Sequence, residues 1–212
     1  MRFRSTGSRG PKVRRVDPAS EDATVAGANV GVGIQMAASL LIEAGPVVSL
    51  IAATPALLDA EEDGGAVIAA GLGVEPPVDW PPEHNDPATR EWMRELLEDF
   101  PEEPGYGTWY IIAHNRLVGV CGFKGPPNGD GEVVIGYSMV EAEQRKGVAA
   151  EAARMLVQRA FRDPRVAVVV AETLPALVGS QKVLVRNGFT HVGGYMHSDE
   201  GQVMRFETRK PS

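Results

Sequence analysis

The 212-residue sequence predicts an α/β fold of three layers around a central mixed sheet that is mostly antiparallel. Three observations predict it. Helix-like text comes first, between Pro55 and Phe100; short strands joined by tight turns follow, from Thr108 to Val140; strand, helix, strand, helix then alternate before two closing strands. The segment Val166 to Ala171 is apolar without alternation, which is how a strand buried on both faces reads, and this places it inside the sheet.

Each element has its own justification. Residues 1–44 are rich in Gly, Ser, Ala and Arg and keep no period, so they are expected to be a flexible N-terminal extension, with the folded domain spanning 45–212. Met36 stands just ahead of the first convincing element and is a candidate biological start. PVVSLIAATP (46–55) reads as a strand, closed where Thr54 can cap and Pro55 open a helix. PALLDAEED and GAVIAAGL read as helices split by Gly64 and Gly65. A proline-rich loop containing Trp80 follows, then a helix, ATREWMRELLEDF (88–100), with Trp92, Leu96 and Phe100 at fourfold spacing on one face.

The strands TWYIIAHN and RLVGVCGFK are joined by a tight turn at Asn115, and GPPNGDG leads to a third strand, EVVIGYSMV. A helix from about Gly147 to Phe161 carries Val148, Ala152, Met155, Leu156 and Ala160 along a buried stripe. RVAVVVAETL, a helix ALVGSQKVLVRNG ended by Gly188, and the strands FTHVGGYMH and GQVMRFETR complete the chain.

Composition narrows the function. The formal charge of -7 is uneven: Arg2, Arg4, Arg9, Lys12, Arg14 and Arg15 precede the first acid, Asp17, and without those six the remainder holds 15 basic against 28 acidic residues. So acidic a body repels nucleic acid and favours cationic ligands, and nucleic acid is not the expected partner. A basic arm read instead as a nucleic-acid contact would show strongly salt-dependent binding. The apolar runs fall far short of the roughly 18 residues that cross a bilayer, so no membrane span is expected. Cys121 is the lone cysteine, so no intrachain disulfide is expected, and the four histidines lack ligand spacing, so no metal is expected either. The arginines are not followed by a signal-like apolar core, and the expected location is the cytoplasm.

The chemistry centres on EAEQRKGVAAEA (141–152), where a strand ends and a helix begins. The first N–H groups of a helix have no intrahelical partner and carry partial positive charge, a ready site for phosphate. Gly147, Ala149 and Ala150 let a pyrophosphate approach the backbone, and Arg145 and Lys146 add charge. A plain turn with solvated basic residues would leave the same text. GANVGVG (27–33) imitates a dinucleotide fingerprint but follows no strand, and no GxxxxGK[ST] occurs, so triphosphate and nicotinamide cofactors are discounted.

Gln144-Arg145-Lys146-Gly147-Val148-Ala149 resembles the Q/R-x-x-G-x-G/A motif of the GNAT superfamily of N-acetyltransferases. EVVIGYSM resembles the strand before that motif, and ETLPALVGSQKVLVRNGF resembles the T-L-P-x-N-x-x-S-x-x-V-L-x-x-x-G-F segment of the branch related to ribosomal-protein-alanine N-acetyltransferases. WYII, LVGVCGFKGPP and the WPPE of residues 80–83 fit the same branch, so the resemblance runs from about Val47 to Thr208.

The resemblance implies a GNAT-like sheet splayed between the strand ending at Val140 and the one ending at Leu174, with acetyl-CoA in the cleft. Its pantetheine would pair with backbone near Met139 and Val140. Arg145, Lys146, Gly147, Val148, Ala149, Ala150 and Ser180 would complete the cofactor site. It also implies transfer of the acetyl group directly to a primary amine of a small molecule or protein N-terminus, with no acyl-enzyme; a homodimer stays open.

The chain departs from the branch at three positions: Val134 stands where an acidic residue is customary, Leu177 where the asparagine falls, and Leu184 where many members place a tyrosine acid. An ammonium acceptor must lose a proton before attack. Glu172 is the first candidate base and Glu132 the second, because it shares a strand face with Val134. Ser180, Tyr137 or water would stabilise the leaving thiolate. The rival expectation is a degenerate CoA-binding or interaction module on the same fold, which the three departures favour.

Overall fold

A computed structural model describes residues 40–210, and the expectations for residues 1–39 and for Met36 lie outside the described residues. Residues 42–44, which the sequence assigns to the extension, form a strand of the sheet. This β1, Ile42–Ala44, pairs antiparallel with β2, Val48–Ala52. Three residues with one turn before the next strand are too short to show a period, which is why pattern reading passes over them.

Thr54 caps α1, Pro55–Glu62: its hydroxyl accepts from Leu57 N at 3.3 Å, and Pro55 takes a position where the missing N–H costs nothing. α2, Gly65–Leu72, ends at Gly73 in the left-handed conformation. Asp86 caps α3, Pro87–Asp99, accepting from Thr89 N at 2.8 Å. The buried stripe of α3 is Thr89, Met93 and Leu96, not the expected Trp92, Leu96 and Phe100. Phe100 is 41% exposed because the helix ends there and the chain turns away.

β3, Thr108–Ala113, β4, Arg116–Phe123, and β5, Glu132–Met139, form the antiparallel meander. His114 and Asn115 both have positive φ between the paired Ala113 and Arg116, the two-residue turn that matches strand twist. α4, Val148–Arg162, crosses to β6, Val168–Thr173, which runs parallel to β5; α5, Val178–Arg186, leads to the closing hairpin of β7, Thr190–His197, and β8, Gly201–Arg209. The strand order is β1-β2-β3-β4-β5-β6-β8-β7.

The sheet separates two apolar layers. On one side Leu50, Trp109, Ile111, Ile135, Val169 and Ala171 meet the α4 stripe of Val148, Ala152, Met155, Leu156 and Ala160. On the other, Ile51, Tyr110 and Val120 meet Leu57, Leu58, Ile68 and Met93 from α1, α2 and α3. At about 25 cal/mol per Å² of apolar surface, burial on both faces is the main force holding the layers together. Cys121 is buried in the first layer, and burial pushes its thiol far above the ordinary value. Among the described residues no helix is long and apolar enough to cross a membrane.

Candidate active site

The site begins where β5 and β6 part. They pair from Glu132↔Val168 to Ile135↔Ala171 and no further. Lys124 N donates to Val134 O at 2.8 Å and Val140 N to Val118 O at 3.0 Å, so the even-numbered residues of this stretch turn their main-chain groups to β4. The main-chain groups of Tyr137 and Met139 therefore face the gap that β6 leaves.

A cleft of about 540 Å³ occupies that gap. Tyr137, Ser138 and Met139 form one wall; Gln144, Arg145, Gly147, Ala149 and Ala150 bring the start of α4; Leu177, Ser180 and Arg186 bring α5 and its lead-in; Glu83 and His84 close the far end. Gly147 sits at φ 87 as the N-cap of α4, a conformation that disfavours any side chain, and a Cβ placed there would meet nothing within 4 Å. Arg145 is also left-handed, at φ 62. Among the described residues no backbone carbonyl accepts from the N–H groups of Arg145 to Ala150. The helix start is a row of unmatched donors facing open space beside a guanidinium, which suits a diphosphate.

Tyr137 and Ser180 meet across the cleft. The phenol donates to Ser180 O at 3.1 Å, which leaves the Ser180 hydroxyl, 2.9 Å away, to donate back. Burial pushes the phenol up to about 12, with the Ser180 bond opposing it, so Tyr137 keeps its proton at neutral pH. The pair puts two protonated hydroxyls in the cleft wall.

Of the other expected residues, Val140 is buried with its N–H given to Val118 O and its carbonyl to Glu143 N, so it offers little to a ligand. Val148 points into the core, and Lys146 turns away to Glu143 at 3.1 Å. Glu172 and Glu132 do not line the cleft. Glu172 lies on the face away from α4, held by Lys124 Nζ at 3.3 Å and Tyr195 OH at 3.2 Å. Glu132 is at the far end of β5, paired with Arg205 at 2.8 Å. Each carboxylate is already matched by a cation; Glu172 follows the last residue of β6 paired with β5, but neither side chain lines the cleft.

Residues 61–190, well over half of the chain, match the acetyltransferase (GNAT) domain family. The chain belongs to the GNAT acetyltransferase family. As a GNAT enzyme it is an acetyl-CoA-dependent N-acetyltransferase, and the helix start fits a CoA pyrophosphate on the geometry above. It is 31% identical over 135 residues to the uncharacterized N-acetyltransferase YjdG of Bacillus subtilis (strain 168), covering 63% of this chain and 80% of that protein. Among solved structures, the ribosomal L7/L12 alpha-N-protein acetyltransferase RimL in complex with coenzyme A superposes with a TM-score of 0.59 at 22% identity, over 80% of this chain and 98% of that one. The ribosomal-protein-S5-alanine acetyltransferase of Vibrio fischeri gives 0.58 at 15% identity, over 81% and 100%. At these identities the likeness is one of fold.

The GNAT cleft also recruits residues that sequence reading missed. Glu83, His84, Ser138 and Glu143 line it, as do Lys182 and Arg186, one helical turn apart on α5. The charge signal of Lys182 and Arg186 was legible, at i and i+4 behind Ser180. Glu83 and His84 come from a loop without periodicity, and only folding carries it to β5.

That loop is anchored at both ends. Ser138 Oγ donates to Glu83 O in a short hydrogen bond. Asn85 is buried and donates to Glu61 Oε1 at 2.6 Å; Tyr110 OH donates to Glu61 Oε2 at 2.8 Å; Arg90 donates to Asn85 O at 2.6 Å. Burial raises the Glu61 carboxyl above its ordinary value, against the lowering effect of its hydrogen bonds.

Proposed function

We propose that this GNAT enzyme transfers the acetyl group of acetyl-CoA by direct attack of a primary amine, carried by a small cationic molecule or a protein N-terminus. One observation carries the proposal: the cleft passes through the sheet at the splay. It has the phosphate-type cradle and the Tyr137–Ser180 hydroxyls on the α4 and α5 side, and Ser138, Glu83 and His84 on the side of α3. Donor and acceptor then enter from opposite faces and meet in the gap.

Acetyl-CoA bound there supplies an acetyl thioester. Gly147, Ala149 and Ala150 would hold its diphosphate by their N–H groups, with Arg145 adding charge, and the main-chain groups of Tyr137 and Met139 would align the pantetheine arm like a missing strand. Tyr137, held to Ser180, would protonate the departing sulfur. No cysteine lies in the cleft wall, so direct transfer suits the residues present. RimL is a ribosomal L7/L12 alpha-N-protein acetyltransferase, which supports a protein N-terminus as one acceptor class. The acidic balance of the chain supports the cationic small amine as the other.

Calorimetric titration with acetyl-CoA, followed by CoA-release assays with peptide N-termini and polyamines, tests this. Micromolar binding with turnover of one amine class supports it. A folded chain that binds no acetyl-CoA overturns it.

A further inference from the structure

We propose that His84 is the base that takes the proton from the acceptor ammonium; this rests on the acetyl-transfer reading above. The two glutamates that sequence favoured are tied into ion pairs and do not line the cleft. The base therefore has to come from among the groups that do line it.

The titratable and charged groups in the cleft wall are Glu83, His84, Tyr137, Glu143, Arg145, Lys182 and Arg186. Tyr137 is protonated and faces the donor side. Glu143 belongs to the phosphate end and is paired with Lys146. Arg145, Lys182 and Arg186 are cations. Glu83 and His84 remain, and their side chains differ: that of Glu83 is 74% exposed and that of His84 only 19%. A base that acts on a bound amine must be shielded with it, so the imidazole is the group placed for the task.

Three features hold it there. His84 is left-handed, at φ 68, a conformation that costs a side-chain-bearing residue about 1–3 kcal/mol and persists only where neighbours enforce it. Its flanking residues are those neighbours: Glu83 O accepts from Ser138 of β5, and Asn85 is locked into the buried Glu61–Tyr110–Arg90 group. The Glu83 carboxylate lies 3.6 Å from His84 Nε2. Tyr137 and Ser138 are successive residues of β5 and project to opposite faces. The strand thus sets a proton donor on one side of the gap and the loop bearing His84 on the other.

The step balances. The ammonium gives one proton to His84, which passes it to solvent; the free nitrogen forms its bond to the acetyl carbonyl carbon, and the carbon–sulfur bond breaks. Sulfur takes a proton from the Tyr137–Ser180 pair, nitrogen loses its second proton to water, and water restores the hydroxyl, so one proton is released for each acetyl transferred.

The test uses the full chain with His84→Gln and His84→Asn variants. Each is titrated with acetyl-CoA, and CoA release is followed from pH 5.5 to about 9.5, spanning the ordinary histidine range, with tetrapeptides bearing N-terminal serine or alanine and with spermidine. The expected result is unchanged acetyl-CoA affinity, kcat/KM lower by about a hundred-fold near neutrality, and loss of the acid limb of the pH profile. Wild-type turnover and an intact acid limb in a variant would overturn the assignment, as would lost acetyl-CoA affinity, which would place His84 in the donor site. If the wild-type chain binds acetyl-CoA and turns over none of these amines, the transfer reading fails and His84 falls with it. Turnover at the wild-type level in the variants sinks the assignment alone.

Discussion

Tyr137 and Ser180 stand hydroxyl to hydroxyl at 2.9 Å, one at the open end of β5 and the other in the first turn of α5, 43 residues apart in sequence. Each keeps the other aimed across the gap. Replacing Tyr137 with Phe removes the donor and leaves the ring in the core. We expect kcat to fall by about a hundred-fold, as for loss of a general acid, while acetyl-CoA affinity changes only slightly. Steady-state kinetics beside calorimetry separates the two. Since the phenol titrates only at about 12, Tyr137 should contribute no alkaline limb at moderately basic pH.

Gly147 gives a test that divides strain from ligand binding. A Cβ there meets open space, so Gly147→Ala should cost only the left-handed backbone strain, about 1–2 kcal/mol, read as a shift in urea midpoint. Gly147→Glu adds a negative charge at the helix start and should weaken acetyl-CoA by tenfold or more at unchanged fold. Equal affinity in the glutamate variant would remove the cradle from consideration.

Glu61 makes stability depend on pH in an uncommon direction for a carboxylate. Burial raises its folded value, so the folded chain holds the proton more firmly than the unfolded chain, whose value is near 4.5. Its contribution is complete below that value and is lost as pH rises through the folded one. The unfolding free energy of Glu61→Gln, relative to the parent, should therefore improve as pH rises from 4.5 toward neutrality, measured by urea titration at several pH values.

Glu43 should behave oppositely. It bridges β1 to Arg159, at 2.9 Å, and to Arg162 at the end of α4, and the Arg162 hydrogen bond is the largest influence lowering its carboxyl. A lowered value means a contribution present above the unfolded value and lost as pH falls through the folded one. Glu43→Gln should cost no more than about 1 kcal/mol at pH 7, and the difference should close in acid. A difference constant across pH would show that packing of β1, not charge, is what the variant removes.

Most of the fold was legible because its signals are local. GAVIAAGL and GQVMRFETR become α2 and β8 to the residue, since glycines punctuate both starts, and the α4 stripe obeys the helical period that reveals it. The α3 stripe kept Leu96 but exchanged Trp92 and Phe100 for Thr89 and Met93: Trp92 looks like a core residue by size, whereas Thr89 and Met93 are the ones buried. The α4 side of the cleft was legible for the same local reason, a strand end, a glycine and a helix start within a few residues. The α3 side was not. Glu172 has the strand position expected of it, but Lys124, just after β4, and Tyr195 from β7 reach it only through tertiary contact. His84 enters the cleft through hydrogen bonds to residues on β5 and α1, which no spacing records.

The short pairing of β5 with β6 reaches beyond the cleft it opens. Four residue pairs and the α4 crossover are what tie β1–β5 to β6–β8 beside the layer packing, so the sheet resembles two leaves joined at a spine. A ligand seated in the gap would touch β5 and the start of α4 on one side and α5, which connects β6 to β7, on the other, and so fasten the second leaf through α5. Amides of β6 and β8, many of them remote from any ligand atom, should then exchange their hydrogens more slowly when acetyl-CoA is present, while those of β2 and β3, inside one leaf, should barely change.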